Sequence, residues 1–345
     1  MAQKVEPEHR PLRILSIDGG GVRGIIPARI LQRIETETKK PIYELFDLII
    51  GNSTGSILAA GLVTPNKEEG GAMYTAGAMV RVYYDEAENI FSLSKCRDLI
   101  TLCGACWPRY DRNNLDKMLE TYLGETKLSE TLTPFLCVSF SLDSAGPNLW
   151  MTVHGAVHDH YLRDVVGASS AAPTYFAAKE ISIADNETMY EVDGALFANN
   201  PEVAASYWLY LKELKDRDVV MVSLGTGEEQ AQVTPRNPNI RQIPKLVRKT
   251  KNAGVIGWAF SNPMDLILNA ESKWSEWLAN ANFKSRFRFQ VPLPRKLTRM
   301  DNAKANNMCA LLKAADAYLE DPAVIKDIRT VCEIITPKEQ APQSD

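Results

Sequence analysis

The sequence predicts an α/β fold: a buried, mainly parallel sheet with helices on both faces. Three observations predict it. Near-continuous apolar strands alternate with helical patterns through residues 13–225, and strands apolar on both faces belong to sheets covered on both sides. Two of these strands run directly into glycine-containing turns followed by helices. The 345-residue chain is 45% hydrophobic, enough for one large core.

The elements follow in order. Arg13 to Asp18 reads as a short strand, then come glycines and a helical pattern from Ile25 to Thr38. Leu45 to Ile50 is a second strand, entering Gly51-Asn-Ser-Thr-Gly55 and a small apolar helix that ends near Leu62. Asn113 to Leu123 is helical. Phe135–Phe140 and Leu149–Val153 are strands, joined as a hairpin across Asp143–Pro147. Pro201 to Leu214 is a helix with proline at its favoured early position. Asp218 to Gly225 is another buried strand. Beyond Gly227 the composition turns polar, with Pro235, Pro238, Pro244 and a basic run from Lys245 to Lys251. Helices follow over Met264–Asn280 and Ala303–Leu319.

The net charge of −4 gives no general reason to expect a nucleic-acid partner. The polar N-terminus lacks a signal-peptide core, and the longest apolar runs, such as Ile57–Val63, are too short to span a bilayer. A soluble, cytoplasmic protein is expected. Of six cysteines, Cys103 and Cys106 have metal-ligand or redox spacing, but no second ligand pair follows. The reading favoured for all six is reduced thiols.

Ser53 is the candidate nucleophile. Gly51-Asn52-Ser53-Thr54-Gly55 sits between a strand and a helix, and so sharp a turn strains its central residue and exposes the hydroxyl at a helix N-terminus. Glycines on both sides remove side chains that would collide. The competing reading is a serine that merely caps a helix. A serine also needs a base. The usual order of nucleophile, acid and histidine fails with Asp193 as the acid, because no histidine follows His160. Asp193, at the end of Tyr190-Glu-Val-Asp193 and before Gly194 and Ala195, can act as the base directly if it lies within hydrogen-bond reach. Alone, it also fits an ordinary Asp-Gly turn.

Asp18-Gly19-Gly20-Gly21-Val22-Arg23-Gly24 offers the oxyanion site. Consecutive glycines let backbone N–H groups converge on a small anion, with Gly20 and Gly21 the favoured donors and Arg23 adding charge or bracing the loop. The same glycines match a dinucleotide-binding fingerprint. Two features oppose that reading: Asp18 would face the pyrophosphate with like charge, and no acid ends a second strand at the right distance.

Together these three motifs resemble the patatin-like phospholipases, whose pattern is a DGGGxRG loop, a GxSxG elbow and a DGG or DGA triplet in that order. Ile25–Ala28, Ala168–Pro173 and Asn199–Pro201 look familial as well, and the similarity spans residues 10–227. The resemblance implies a three-layer α/β/α sandwich and a Ser–Asp dyad without metal or other cofactor. In it Ser53 is the nucleophile and Asp193 the base. Gly19, Gly20, Gly21 and Arg23 form the oxyanion loop, and Gly51, Asn52, Thr54 and Gly55 the elbow. Gly194 and Ala195 complete the triplet. Asn52 replaces the commoner threonine, and Ala195 the commoner glycine; both are expected to be tolerated.

The implied activity is hydrolysis of fatty-acyl esters of membrane phospholipids through an acyl-enzyme. A general esterase or thioesterase, or a non-catalytic nucleotide- or lipid-binding protein, are the alternatives. The chain divides into a flexible N-terminus (1–10), a catalytic domain (11–227), a helical elaboration packed on the core (228–335) and a disordered tail (336–345). A lipid substrate implies peripheral membrane contact. Trp274 and Trp277, three apart on one helix, and Lys245–Lys251 are the candidates, but core packing for the tryptophans and a solvated face for the lysines are favoured. Compact bacterial enzymes of this kind include membrane-degrading effectors of antiphage defence switched on by cyclic nucleotides, so the resemblance extends to a cyclic-nucleotide activator.

Overall fold

Strand β1 (Leu12–Ile17) forms the middle of the sheet, pairing in parallel with β2 (Leu48–Gly51) on one edge and β7 (Val219–Leu224) on the other. The computed structural model describes residues 10–92, 107–152, 159–184, 187–229 and 263–336. Beyond β7 lies β9 (Ser285–Phe289), also parallel. On the opposite side β2 pairs in parallel with β3 (Phe135–Ser141), and there the sheet changes direction. β3 takes antiparallel partners in β4 (Gly146–Met151) and β6 (Glu187–Asp193), and β6 pairs with β5 (Lys179–Ala184). β8 (Glu228–Glu229) and β10 (Pro292–Leu293) form a separate two-residue parallel pair.

Alternate strand residues point to opposite faces, and here each face has its own core. Leu15, Ile17, Ile49, Phe135 and Val222 meet α1 (Ile25–Thr38), α3 (Thr54–Val63), α4 (Ala76–Ile90), α5 (Arg112–Leu123) and α6 (Leu162–Ser169). The same cluster includes α10 (Ala305–Leu319) and α11 (Pro322–Ile335). Ile14, Leu48, Ile50, Leu136 and Met221 meet α7 (Ala195–Ala198), α8 (Glu202–Leu211) and α9 (Pro263–Asn282). The result is a three-layer α/β/α sandwich, the fold class expected from the apolar strands.

Several boundaries differ from the sequence reading. The second strand starts at Leu48, because Pro41 initiates a single helical turn, α2 (Ile42–Leu45), ahead of it. The 228–335 segment, expected as a helical elaboration packed on the core, also supplies a strand: β9 joins the central sheet. Trp274 and Trp277 are 59% and 67% exposed, their rings in edge-to-face contact, whereas core packing was favoured. α9 instead turns Ser275 and Ala279 inward, small residues that allow close approach to its neighbours. Cys103, Cys106, His154, His158, Lys245–Lys251 and most of the terminal tail lie outside the described residues. Among the described residues no helix is long and apolar enough to cross a membrane.

Candidate active site

β3 brings the two candidate reacting residues together. Its residues 136–141 are paired with β4, so β2 and β6 must share the other edge. β2 runs parallel to β3 and ends with Gly51 opposite Cys137, while β6 runs antiparallel and ends with Asp193 opposite Ser139. The two strands therefore converge end to end on positions two residues apart, roughly 7 Å along β3. Ser53 follows one end and Asp193 is the other.

The elbow is tight. Ser53 has φ 51° and ψ −126°, a conformation that side-chain-bearing residues rarely adopt. A Cβ on Gly51 would strike the Gly55 carbonyl, and one on Gly55 would strike the Ile17 carbonyl, so both positions require glycine. The turn after α6 clamps both reacting residues. The Ser53 N–H donates to Ser169 Oγ (3.0 Å), Ser170 Oγ donates to the Ser53 carbonyl (3.1 Å), and the Asp193 N–H donates to the Ala171 carbonyl (3.0 Å). These contacts give a role to the small-residue run Ala168–Pro173, which the sequence marked only by resemblance.

Asp193 is buried. Its Oδ1 accepts the Ala195 N–H (2.8 Å) and Asn52 Nδ2 (3.3 Å). Burial pushes its carboxyl up to about 6, opposed by hydrogen bonds from Ser53, Ala195 and Asn52. Asn52 is thus a direct partner of the carboxylate, a role no motif reading supplied. Gly194 does not sit in an open turn. It has right-handed helical angles and starts α7, and a Cβ there would lie 2.6 Å from the Val138 carbonyl oxygen.

The glycine loop divides by function. Gly20 and Gly21 line the cavity beside Ser53, and among the described residues neither N–H meets a protein acceptor. Gly19 is not such a donor: its N–H is given to the Asn199 carbonyl (3.0 Å). Arg23 braces the loop, with Nε on the Gly20 carbonyl (3.3 Å) and Nη1 on the Gly227 carbonyl (2.9 Å). The loop leans on residues late in the chain. The Val22 N–H donates to the Met300 carbonyl (2.9 Å), which occupies the space over Gly21 at its φ of 58°. Glu271 on α9 accepts the Asn199 N–H (2.6 Å), and burial raises its carboxyl to about 7. Asp18 does not present a free charge at the loop entrance as the sequence suggested, since Arg288 of β9 grips both its oxygens (2.9 and 2.6 Å).

Ser53, Asp193, Gly20 and Gly21 open on one cavity of about 750 Å³. Its walls are largely apolar, including Ile57, Ile90, Phe91, Leu115, Met118 and Phe176. That is ample for part of an acyl chain. His160 is not among the lining residues; its ring packs edge-on against Trp150 instead.

Patatin-like protein 2 of Arabidopsis thaliana is 28% identical over 361 residues, covering 92% of this chain and 85% of that protein. Patatin-like protein 2 of Oryza sativa subsp. indica is 31% identical over 265 residues, covering 67% and 65%. Among solved structures, human GIVD cytosolic phospholipase A2 is similar at 10% identity and a TM-score of 0.46, covering 97% of this chain and 62% of that one. A sequence profile described as patatin-like phospholipase matches residues 15–206, more than half of the chain and including all three motifs. The chain belongs to the patatin-like phospholipase family, a family of lipid acyl hydrolases.

Proposed function

We propose that the protein is a phospholipase of the A type, cleaving fatty-acyl esters of membrane phospholipids from the cytoplasmic side through a Ser53–Asp193 dyad. One observation carries the reading. A hydroxyl at a strained strand-to-helix elbow and a buried carboxylate poised near 6 share an apolar cavity with the Gly20 and Gly21 N–H groups, which meet no protein acceptor among the described residues. Asp193 takes the Ser53 proton as Ser53 Oγ attacks the ester carbonyl. The negative charge that develops on the carbonyl oxygen is met by the N–H groups of Gly20 and Gly21, each worth about 3 kcal/mol in such a role. Collapse of the tetrahedral species breaks the ester C–O bond, and the lysolipid alcohol leaves with the proton from Asp193. Asp193 then accepts a proton from water as the water attacks the acyl-serine, freeing the fatty acid and restoring Ser53. No metal ion enters these steps.

Substrate access requires contact with a bilayer, and the exposed Trp274 and Trp277 are suited to its interface. The expected cyclic-nucleotide activator and antiphage role rest on the resemblance alone and enter only as arms of the assay. Phospholipid vesicles are incubated with wild type and with Ser53→Ala, with and without a panel of cyclic di- and trinucleotides, and the products identified by lipidomics. Free fatty acid and lysolipid should appear with wild type only, and a fluorophosphonate should label Ser53. Equal product from both proteins would end the assignment. Hydrolysis confined to short soluble esters or thioesters would replace it with a general esterase.

A further inference from the structure

We propose that Tyr83 of α4 is a positioning residue for the reaction, locking the nucleophile elbow to the glycine loop so that Ser53 Oγ and the Gly20 and Gly21 N–H groups keep their mutual alignment. This role rests on the hydrolase reading and adds to it a residue outside the three motifs.

The serine and the glycine donors come from separate segments, residues 51–55 and 18–24. At the strand ends the two are tied directly, the Asn52 N–H donating to the Ile17 carbonyl (3.2 Å). Farther along both segments the tie is Tyr83. Its hydroxyl donates to the carbonyl of Thr54 (2.5 Å), the residue after the nucleophile, and accepts from Thr54 Oγ1 (3.1 Å). Its ring lies on Gly24, the last residue of the loop. A Cβ there would stand 2.7 Å from Tyr83 Cε1 and 2.4 Å from Thr54 Oγ1. Gly24 has right-handed helical angles, so the close approach of these two side chains, and not its conformation, requires glycine. The three residues form a buried joint, and Tyr83 and Thr54 border the cavity together with Ser53, Gly20 and Gly21.

The base of the joint is firm. Met79, one turn before Tyr83 and on the same face of α4, packs where Gly61 of α3 leaves room: a Cβ on Gly61 would stand 2.5 Å from Met79 Sδ. Burial raises the Tyr83 phenol well above its ordinary value, opposed by hydrogen bonds from Thr54 and Leu58. The hydroxyl therefore stays protonated while Asp193 ionises and serves as neither acid nor base. A buried tyrosine ordinarily finds some partner for its hydroxyl. Here the partner is the neighbour of the nucleophile, where a small displacement is costly because the reacting groups tolerate little misalignment.

Tyr83→Phe removes the hydroxyl and keeps the ring. Wild type and variant are given dihexanoylphosphatidylcholine as dissolved monomers, and Ser53 is labelled with a fluorophosphonate in each. End-point labelling counts competent sites, and the labelling rate reads their alignment. Per labelled site, kcat should fall about tenfold, the scale of one hydrogen bond, and the labelling rate with it, while KM is unchanged. The pH midpoint near 6 set by Asp193 should not move. Thr54→Val should lower kcat in the same way, and adding it to Tyr83→Phe should cost less than it does alone, because both hydroxyls act through one joint. A kcat per labelled site equal to wild type, a loss carried by KM, or a shifted midpoint overturns the proposal, leaving Tyr83 as a core and wall residue. If Tyr83→Phe does not melt cooperatively, Thr54→Val decides by the same measures. Wild type that neither hydrolyses the lipid nor takes the label overturns the hydrolase reading, and the role of Tyr83 with it; hydrolysis by wild type beside an unaltered variant overturns the role alone.

Discussion

At Asp193 burial and hydrogen bonding pull in opposite directions, and burial wins. An aspartate at its ordinary value of 3.8 is a poor base, and desolvation raises this one to about 6. Only the ionised form can accept a proton, so kcat/KM should rise as pH increases through about 6 and level off above it. Asn52→Ala removes a donor that favours the ionised form, so its rise should be displaced to higher pH. A profile flat from about pH 4 to pH 9 would remove Asp193 from the role of base. Ser53 stores a different quantity, conformational strain. Its positive φ costs a side-chain-bearing residue on the order of 1–2 kcal/mol. Both Ser53→Ala and Ser53→Gly should be inactive, but the glycine variant should melt higher than the alanine variant, by an amount of order 1 kcal/mol. A lower melting temperature would show that the elbow is unstrained.

At the level of elements, legibility in the sequence followed what local pattern can encode. β1, β2, β3 and β7 were evident because strands buried on both faces read as near-continuous apolar runs. Ser53, Asp193 and the glycines were evident because their backbone demands restrict residue type. β9 was not, because Ser285-Arg-Phe-Arg-Phe289 alternates charge with aromatics and resembles a half-exposed strand. Its arginines are in fact inside, since Glu202 and Asp18, far away in sequence, neutralise them. Arg23 as a brace, Gly19 as an occupied donor and Met300 over the loop depend on equally distant contacts. α9 shows the converse limit. Tryptophan spacing announced a shared face, but the buried face belongs to Ser275 and Ala279. Because Trp274 and Trp277 support little of the core, replacing both by alanine should change stability by about 0.5 kcal/mol or less yet weaken sedimentation with liposomes severalfold. Liposome binding equal to wild type would leave the pair without a membrane role.

Across the whole molecule, the family profile ends at residue 206, but the sheet and the site do not. β9 adds a parallel neighbour to β7, residues 298–301 line the cavity, and Glu271 fastens Asn199 against the glycine loop. Electrostatics makes this dependence severe. Arg288 holds Asp18 through two bonds and also reaches Ser223 (2.7 Å), while Arg286 holds Glu202 at 2.6 and 2.8 Å. Asp18 and Glu202 are buried, so losing β9 strands two carboxylates. Removing one partner of a buried pair costs about 3–5 kcal/mol. Two such losses are comparable to the total stability of a typical domain, about 5–15 kcal/mol, before counting the apolar edge of β7 left uncovered. A fragment of residues 10–227 should therefore carry every catalytic motif and still show neither a cooperative thermal transition nor labelling of Ser53 by a fluorophosphonate. In the full chain, Arg288→Met should lose about 3–5 kcal/mol by urea denaturation, and adding Asp18→Asn should recover part of that loss, because the stranded charge is then gone. A fragment that melts cooperatively and reacts with the probe would show that the C-terminal strand decorates the sheet without holding it together.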